Sequence, residues 1–246
     1  MPEPLRFFSL NCESDKHWQV IFPFVKQFQP DVICLQEVLE ADLEMLQKEF
    51  GMEVVFAPTA RILQENTYDI PPRGRWGVCI LSKLPFSDAN YVYYKGSGDH
   101  IPELTSGEPN AGNRVLATMH VEKDGSEYLV STTHFTWSFN GETTEEQLRD
   151  FANLNKVLDK FPEVILCGDF NAPRGREIFT ALSQRYHDNI PEKYTSSLDP
   201  VMHKVGHKQL MIDGLFTSPV YKTREVEVIC GLSDHCGVKA LIEKEE

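Results

Sequence analysis

The sequence predicts an α/β domain in which two β-sheets pack against each other with helices flanking them. Three observations lead there: more strand candidates than one layer of helices can cover, helical segments both early and late, and a middle stretch of strands at hairpin spacing. A chain of 246 residues that is 41% hydrophobic suits one large domain, residues 1–246, with a sizeable core.

The first strand is "LRFFSLN". "HWQVIFPFVKQFQ" follows as a helix, with Trp18, Ile21, Phe22, Val25 and Phe28 at helical spacing and Pro23 expected to kink or shorten it. "DVICLQEV" reads as a buried strand. A second helix, roughly Ala41 to Phe50, sets Leu39, Leu43, Leu46 and Phe50 on one face and stops at Gly51, which suits a left-handed cap. After "MEVVFA" and a long polar stretch come "WGVCILS", "DANYVYYK", "RVLATMHV" and "EYLVSTTH", an antiparallel middle whose last two strands join around "KDGS". "TEEQ" from Thr144 has the capping-box pattern and opens a helix with Leu148, Phe151, Leu154, Leu158 and Phe161 on its buried side. "EVILCGDFN" is the next strand. A short helix from about Glu177 to Arg185, a loop from Pro191 to Lys208, and strands "LMIDGLFTS", "EVEVIC" and "CGVKALIE" complete the chain.

The formal charge of −13 and the pI near 5.1 argue against a surface built mainly to hold nucleic acid, although a local basic cleft or a bound cation can reverse the field. The six cysteines, Cys12, Cys34, Cys79, Cys167, Cys230 and Cys236, mostly sit in or beside apolar strands as small hydrophobes, and no CxxC spacing points to zinc. Neither a signal peptide nor a membrane span is evident, so the expectation is a reduced, cytoplasmic, monomeric protein without a membrane partner.

Polar residues at the ends of apolar strands are the feature to explain, because rigid strands support the loops where sites are assembled. Asn11 follows "FFSL", Glu37 follows "VICLQ", His134 follows "LVSTT", Asp169 and Asn171 follow "VILCG", and Asp234 and His235 follow "VEVICGLS". At strand spacing, Asp169 and Asn171 point the same way and Phe170 the opposite way. Taken singly, each has an ordinary explanation: a helix-start acid for Glu37, a turn for Asn11, a satisfied core histidine for His134, an Asx-turn at Asp169. Asp213 resists one. Inside the strand "LMIDGLF" its carboxylate loses hydration unless a partner such as His235 meets it.

In order and over almost the whole chain, "LN", "LQEV", "TTHF", "GDFN", "IDGLF" and "LSDH" resemble the endonuclease/exonuclease/phosphatase superfamily, the deoxyribonuclease I-like fold. The resemblance implies a four-layer α/β/β/α sandwich and a divalent-metal phosphoesterase. It makes Glu37 the principal metal ligand with Asn11 and Asp234 beside the ion. Asp169 and Asn171 address the attacking water and the phosphate, His235 paired to Asp213 polarises the phosphate, and His134 approaches it as donor or general acid. The residue types suit the chemistry. An all-oxygen ligand set fits Mg2+ or Mn2+, and an amide donates to phosphate without adding negative charge.

The expected reaction is hydrolysis of a phosphodiester, DNA or RNA among the candidates, by in-line attack of water, with tyrosyl-DNA phosphodiesterases and deadenylases similar in motif style. A phosphomonoesterase, a small-molecule phosphodiesterase, or a catalytically idle binding module are the alternatives. Arg73 and Arg75, Trp137 and Phe139, Arg174 and Arg176, and His203 to Lys208 are candidate substrate walls, with Asp69 a candidate partner of His134. The loop "YKGSGDHIPELTSGEPNAGNR" is expected to cover the cleft, with Arg114 at its base as a phosphate contact.

Overall fold

The computed structural model describes residues 3–206 and 208–245. In chain order the elements are β1 (Leu5–Asn11), α1 (Trp18–Phe28), β2 (Val32–Leu39), α2 (Leu43–Phe50), β3 (Glu53–Ile62), β4 (Gly74–Ser82), β5 (Phe86–Lys95), β6 (Arg114–Lys123), β7 (Ser126–His134), α3 (Glu145–Leu158), β8 (Ile165–Asp169), α4 (Glu177–Arg185), β9 (His187–Asp188), β10 (Asp213–Thr217), β11 (Tyr221–Ile229) and β12 (Gly237–Lys244). Among the described residues the strands form two six-stranded sheets, ordered β11-β12-β1-β2-β4-β3 and β5-β6-β7-β8-β10-β9. Each is mixed, with one parallel pair at its centre: β1 with β2 in the first, β7 with β8 in the second.

Alternation along the strands sends one face of each sheet into a shared core. Phe7, Val32, Cys34 and Val78 of the first sheet meet Ala117, Val130, Ile165 and Leu215 of the second. The opposite faces take the helices. Phe8, Ile33 and Leu35 pack with Trp18, Ile21 and Leu46 of α1 and α2, while Leu129, Leu166 and Phe216 pack with Leu154, Leu158, Phe179 and Leu182 of α3 and α4. The result is the α/β/β/α layering implied by the motifs.

Local chemistry explains most element boundaries. Gly51 ends α2 in the left-handed conformation. The Thr144 side chain accepts the Gln147 N–H and starts α3, a cap that contributes about 1 kcal/mol. Asp124 and Gly125, at φ 50° and 80°, make the two-residue turn between β6 and β7. Several expectations are corrected. α1 runs through Pro23 to Phe28 without ending there. Leu148 is exposed, and the inward face of α3 carries Gln147, Asp150 and Val157 instead, since Gln147 donates to the Thr136 carbonyl. Asp213 begins β10 and is not internal to a longer strand. Cys230 and Cys236 form a disulfide, so the fully reduced reading does not hold, while Cys12, Cys34, Cys79 and Cys167 are free and buried. Among the described residues no helix is long and apolar enough to cross a membrane.

Candidate active site

Strand register assembles the site. In the second sheet His134, Asp169 and Asp213 are direct cross-strand partners on β7, β8 and β10, so three functional groups stand in a row at one sheet end. β7 and β8 approach closely there: a Cβ on Gly168, which has φ 137°, would lie 2.0 Å from the Thr133 carbonyl oxygen. Only glycine fits. In the first sheet Asn11 is paired with Gln36, and the β2–β4 register shifts between Leu35 and Val38. That bulge, with Glu37 in the left-handed region at φ 64°, turns the Glu37 carboxylate out of the ladder and into the cleft. Gln36 stays inside, donating to Thr132 Oγ1 at 2.9 Å and fastening the two sheets beneath the site.

Asn11 bridges the sheets above it. Its Nδ2 donates to Glu37 Oε1 at 3.0 Å and to Asp169 Oδ2 at 3.1 Å, and its Oδ1 accepts the Glu13 N–H. His134 Nε2 is 3.5 Å from Asp169 Oδ2 and 3.9 Å from Glu37 Oε1, and its ring stands against Trp76 with centroids 5.7 Å apart. His235 Nδ1 is 2.8 Å from Asp213 Oδ2, while its Nε2 is 3.8 Å from Asp169 Oδ2. Asp169 is therefore the hub. The spacing argument for Asn171 needs correction: it lies beyond β8 at φ 47°, placed by an Asx-turn in which Asp169 Oδ1 accepts the Asn171 N–H at 2.8 Å. Its Nδ2 donates to the Phe135 carbonyl, and Phe170 points away into the helix-side core.

Burial and mutual repulsion set the charges. Burial, with Asp234 beside it, pushes Glu37 up to about 7. Burial raises Asp169 to about 7 as well, His235 opposing and Asp213 adding to the shift. For His235, burial favours the neutral form, but Asp213 and Asp169 outweigh it and hold the imidazolium well above its usual range. His134 goes the other way. Burial, Arg114 and His235 keep it neutral far below the usual value, so at neutral pH it has one N–H to donate and no proton to give as an imidazolium acid.

These groups line a cleft of about 650 Å3 together with Asp234, Arg114 and Trp137. The loop before β6 covers it through Leu104, Gly107 and Pro109, with Arg114 at the base. Arg114 is 2% exposed, and among the described residues no carboxylate lies within ion-pair distance of it. Its Nη2 is held by Asn110 Oδ1, and its Nε has no partner. Trp137 is 42% exposed and Phe139 71% exposed at the mouth. The other proposed walls are corrected. Arg75 pairs with Glu40, Arg73 with Asp15 and Asp42, and Arg174 with Asp188 and the carbonyls of Ile190 and Tyr194. None of the three reaches the cleft, because each has a nearer acid to satisfy it. Asp69 pairs with Lys204, not His134. His203, Lys204 and Lys208 do line the cleft; His207 lies outside the described residues.

Some contributors have no motif. Ser197 Oγ accepts the Ile212 and Asp213 N–H groups, fixing the start of β10. Asp199 accepts N–H groups from Val201, Met202 and Gly231 and donates its own N–H to the Asp234 carbonyl, so it holds the Asp234–His235 segment in place. Two clusters of metal-ligating side chains occur among the described residues: Asp169, Asp213 and His235, and Asp199, Cys230 and Cys236. The second has its sulfurs in a disulfide. In the first, His235 Nδ1 and Asp213 Oδ2 are engaged in their mutual hydrogen bond, while His235 Nε2 faces Asp169 Oδ2 at 3.8 Å.

Carboxylates, amides and histidines thus gather at the strand tips of two packed sheets. The sequence model described as the Endonuclease/Exonuclease/phosphatase family matches residues 8–235, and the chain belongs to that family, whose members are hydrolases acting on phosphoesters. Solved structures share the fold at low identity. A mannosyl-6-phosphatase from Bacteroides thetaiotaomicron superposes with a TM-score of 0.72 at 15% identity, covering 97% of this chain and 99% of that one. The human Nocturnin catalytic domain with bound sulfate gives 0.70 at 17%, covering 99% and 96%. TDP2 from D. rerio, complexed with a single-strand DNA product, gives 0.65 at 15%, covering 98% and 99%. No curated protein matches the sequence significantly.

Proposed function

We propose that this chain is a divalent-metal-dependent phosphoester hydrolase in which water attacks phosphorus in line with the leaving oxygen. The observation that carries the reading is the Asp169 hub: Asn11, His134, His235 and, through Asn11, Glu37 all converge on one carboxylate in an otherwise apolar frame. A metal fits the residues present. Glu37 and Asp234 both line one edge of the cleft, and burial together with the Asp234 charge pushes Glu37 up to about 7, a pairing of acids that a cation relieves. Glu37 and Asp234 would hold the ion, with Asn11 beside it once its Oδ1 leaves the Glu13 N–H. Such a hard ion, Mg2+ or Mn2+, supplies Lewis-acid polarisation of the phosphoryl oxygens when bound.

The chain's own groups do the rest. Asp169, with a pKa near neutrality, orients the water and takes its proton. The His235 imidazolium, held by Asp213, and the Asn171 amide donate to phosphoryl oxygens as negative charge grows there. His134 adds a neutral N–H, and Arg114 offers a guanidinium that no carboxylate has claimed. The water oxygen bonds to phosphorus, the ester P–O bond breaks, and the departing oxygen is protonated by solvent. An idle binding module has no need of this set.

The exposed Trp137 and Phe139 rings, with Lys208 Nζ 6.0 Å from the centre of the Phe139 ring, offer stacking surfaces for a base beside its phosphate, which suits a nucleotide-sized ester as well as a phosphodiester in DNA or RNA. The test is hydrolysis of bis(p-nitrophenyl) phosphate and p-nitrophenyl phosphate with Mg2+ or Mn2+, with chelator, and with Glu37→Ala and Asp169→Asn. Turnover that depends on metal and on both residues is expected; equal turnover in every sample removes the enzyme reading.

A further inference from the structure

The cleft has a closed rim. On one side the segment carrying Tyr68 is tied to the loop before β6 by the Thr67 N–H to Ser106 Oγ, and that loop is anchored on β3 by the Leu104 N–H to the Arg61 carbonyl. Next, the Asn110 amide makes a two-point bond to the Trp137 backbone, accepting its N–H and donating to its carbonyl, both at 2.9 Å. The third link runs from Asn140 Oδ1 to Lys208 Nζ at 2.8 Å. The fourth, Lys204 Nζ to Asp69 Oδ2 at 2.9 Å, returns to the segment where the circuit began. Residues from all four rim segments line the same 650 Å3 space.

A groove that receives a polymer is open at two ends so that the chain can enter and leave. This one is a cup. Its lining holds Asp169, His134 and His235, and with them three buried polar atoms that lack partners among the described residues, Tyr68 Oη, Arg114 Nε and Ser138 Oγ, the last on a residue 5% exposed. Unpartnered polar atoms buried in a cavity wall are costly unless a ligand or solvent meets them. The apolar side chains of Ile70, Trp76 and Leu104, which pack in one cluster, also line the space.

We infer that the substrate is a phosphate ester of a single small polar alcohol, of the size of a sugar or a nucleoside, and not a bond inside a continuous nucleic-acid strand. Its phosphate meets the floor and Arg114, and its alcohol part fills the cup beneath Trp137 with hydroxyls toward Ser138. The two sides of the rim differ in strength. The Asn110–Trp137 and Leu104–Arg61 links are backbone-anchored, whereas the exposed Lys204 and the half-buried Lys208 hold by single side-chain contacts at the surface. The lysine side is thus the removable one. This assignment rests on the phosphoesterase reading above and narrows its substrate.

The experiment compares kcat/KM, with Mg2+ or Mn2+, for p-nitrophenyl phosphate, the p-nitrophenyl ester of thymidine 5′-phosphate, a linear oligonucleotide and circular single-stranded DNA, in the wild type and in Lys204→Ala/Lys208→Ala. The wild type is expected to turn over the small esters at least ~100-fold better than either polymer. Opening the lysine side is expected to raise polymer cleavage relative to small-ester cleavage. Circular DNA or the oligonucleotide cut as well as the small esters overturns the inference, and so does a double variant that cuts polymer less well, because the lysines then serve as phosphate contacts. Loss of all metal-dependent hydrolysis is a different result: it removes the phosphoesterase reading itself.

Discussion

Replacing Asp213 with asparagine isolates one charge in the proposed mechanism. The Asp213–His235 contact is 2.8 Å between two groups that are 5% and 6% exposed, so the asparagine fills the same space while removing the carboxylate. Breaking a buried pair costs about 3–5 kcal/mol when the remaining charge stays. His235 avoids that cost by losing its proton, since burial favours its neutral form and Asp213 is the largest opposing influence. The site then lacks a charged donor at the phosphoryl group, a loss on the order of 10²–10³-fold in kcat. The sign with pH follows. In the wild type, His235 has a raised folded value, so its contribution to stability and activity is complete below the ordinary imidazole value of about 6.5 and is lost only as pH rises through the raised value. In Asp213→Asn the largest influence raising His235 is gone, so the alkaline limb moves down. The assay is kcat against pH on bis(p-nitrophenyl) phosphate, with a thermal melt to show that the variant folds. A folded variant within about twofold of wild type, with the alkaline limb unmoved, refutes the reasoning.

Metal binding should depend on pH through Glu37: below about 7 a proton competes with the cation for its carboxylate, so the rise in melting temperature on adding Mn2+ should be large at about pH 8 and small at about pH 5. A shift of equal size at both values counts against Glu37 as a ligand. Gly168→Ala should cost about 3 kcal/mol or more in urea denaturation, because its Cβ meets the Thr133 carbonyl oxygen and its φ of 137° strains any side chain. Asp199→Ala should cost about 1–3 kcal/mol at neutral pH by leaving its N–H donors unmet. Burial tends to raise the Asp199 pKa, but N–H donation from Met202, Val201 and Gly231 brings it below the ordinary carboxylate value, so the difference from wild type should shrink as pH falls below about 4. A difference that persists in acid shows that the carboxylate charge is not what matters.

The residues legible in the sequence were those whose role is written locally. Asp169, Asp234 and His235 sit in short motifs at strand ends, and the layer order follows from alternation in β1, β2 and β8, with apolar stripes on α1 and α3. Glu37 was legible as a residue but not as a bulge, because the β2–β4 register shift depends on a partner strand some forty residues away. Long cationic side chains were the least legible. Whether Arg75, Arg114 or Arg174 faces the cleft depends on which acid lies nearby: Glu40 and Asp188 claim two of them, and only Arg114 is left for an anion. Ser197 and Asp199 act through backbone N–H groups that other segments bring to them, Ile212 and Asp213 to the first and Gly231 to the second, and the Cys230–Cys236 pairing closes across six residues just before β12. Neither leaves a trace in composition or spacing.

The most direct test is a crystal structure with Mn2+, read by anomalous scattering. A single strong peak at the Glu37 carboxylate, beside Asp234 and within the cleft that holds Asp169, is the predicted result. A peak elsewhere, at Asp199 for instance, or none at this edge with saturating Mn2+, contradicts the account.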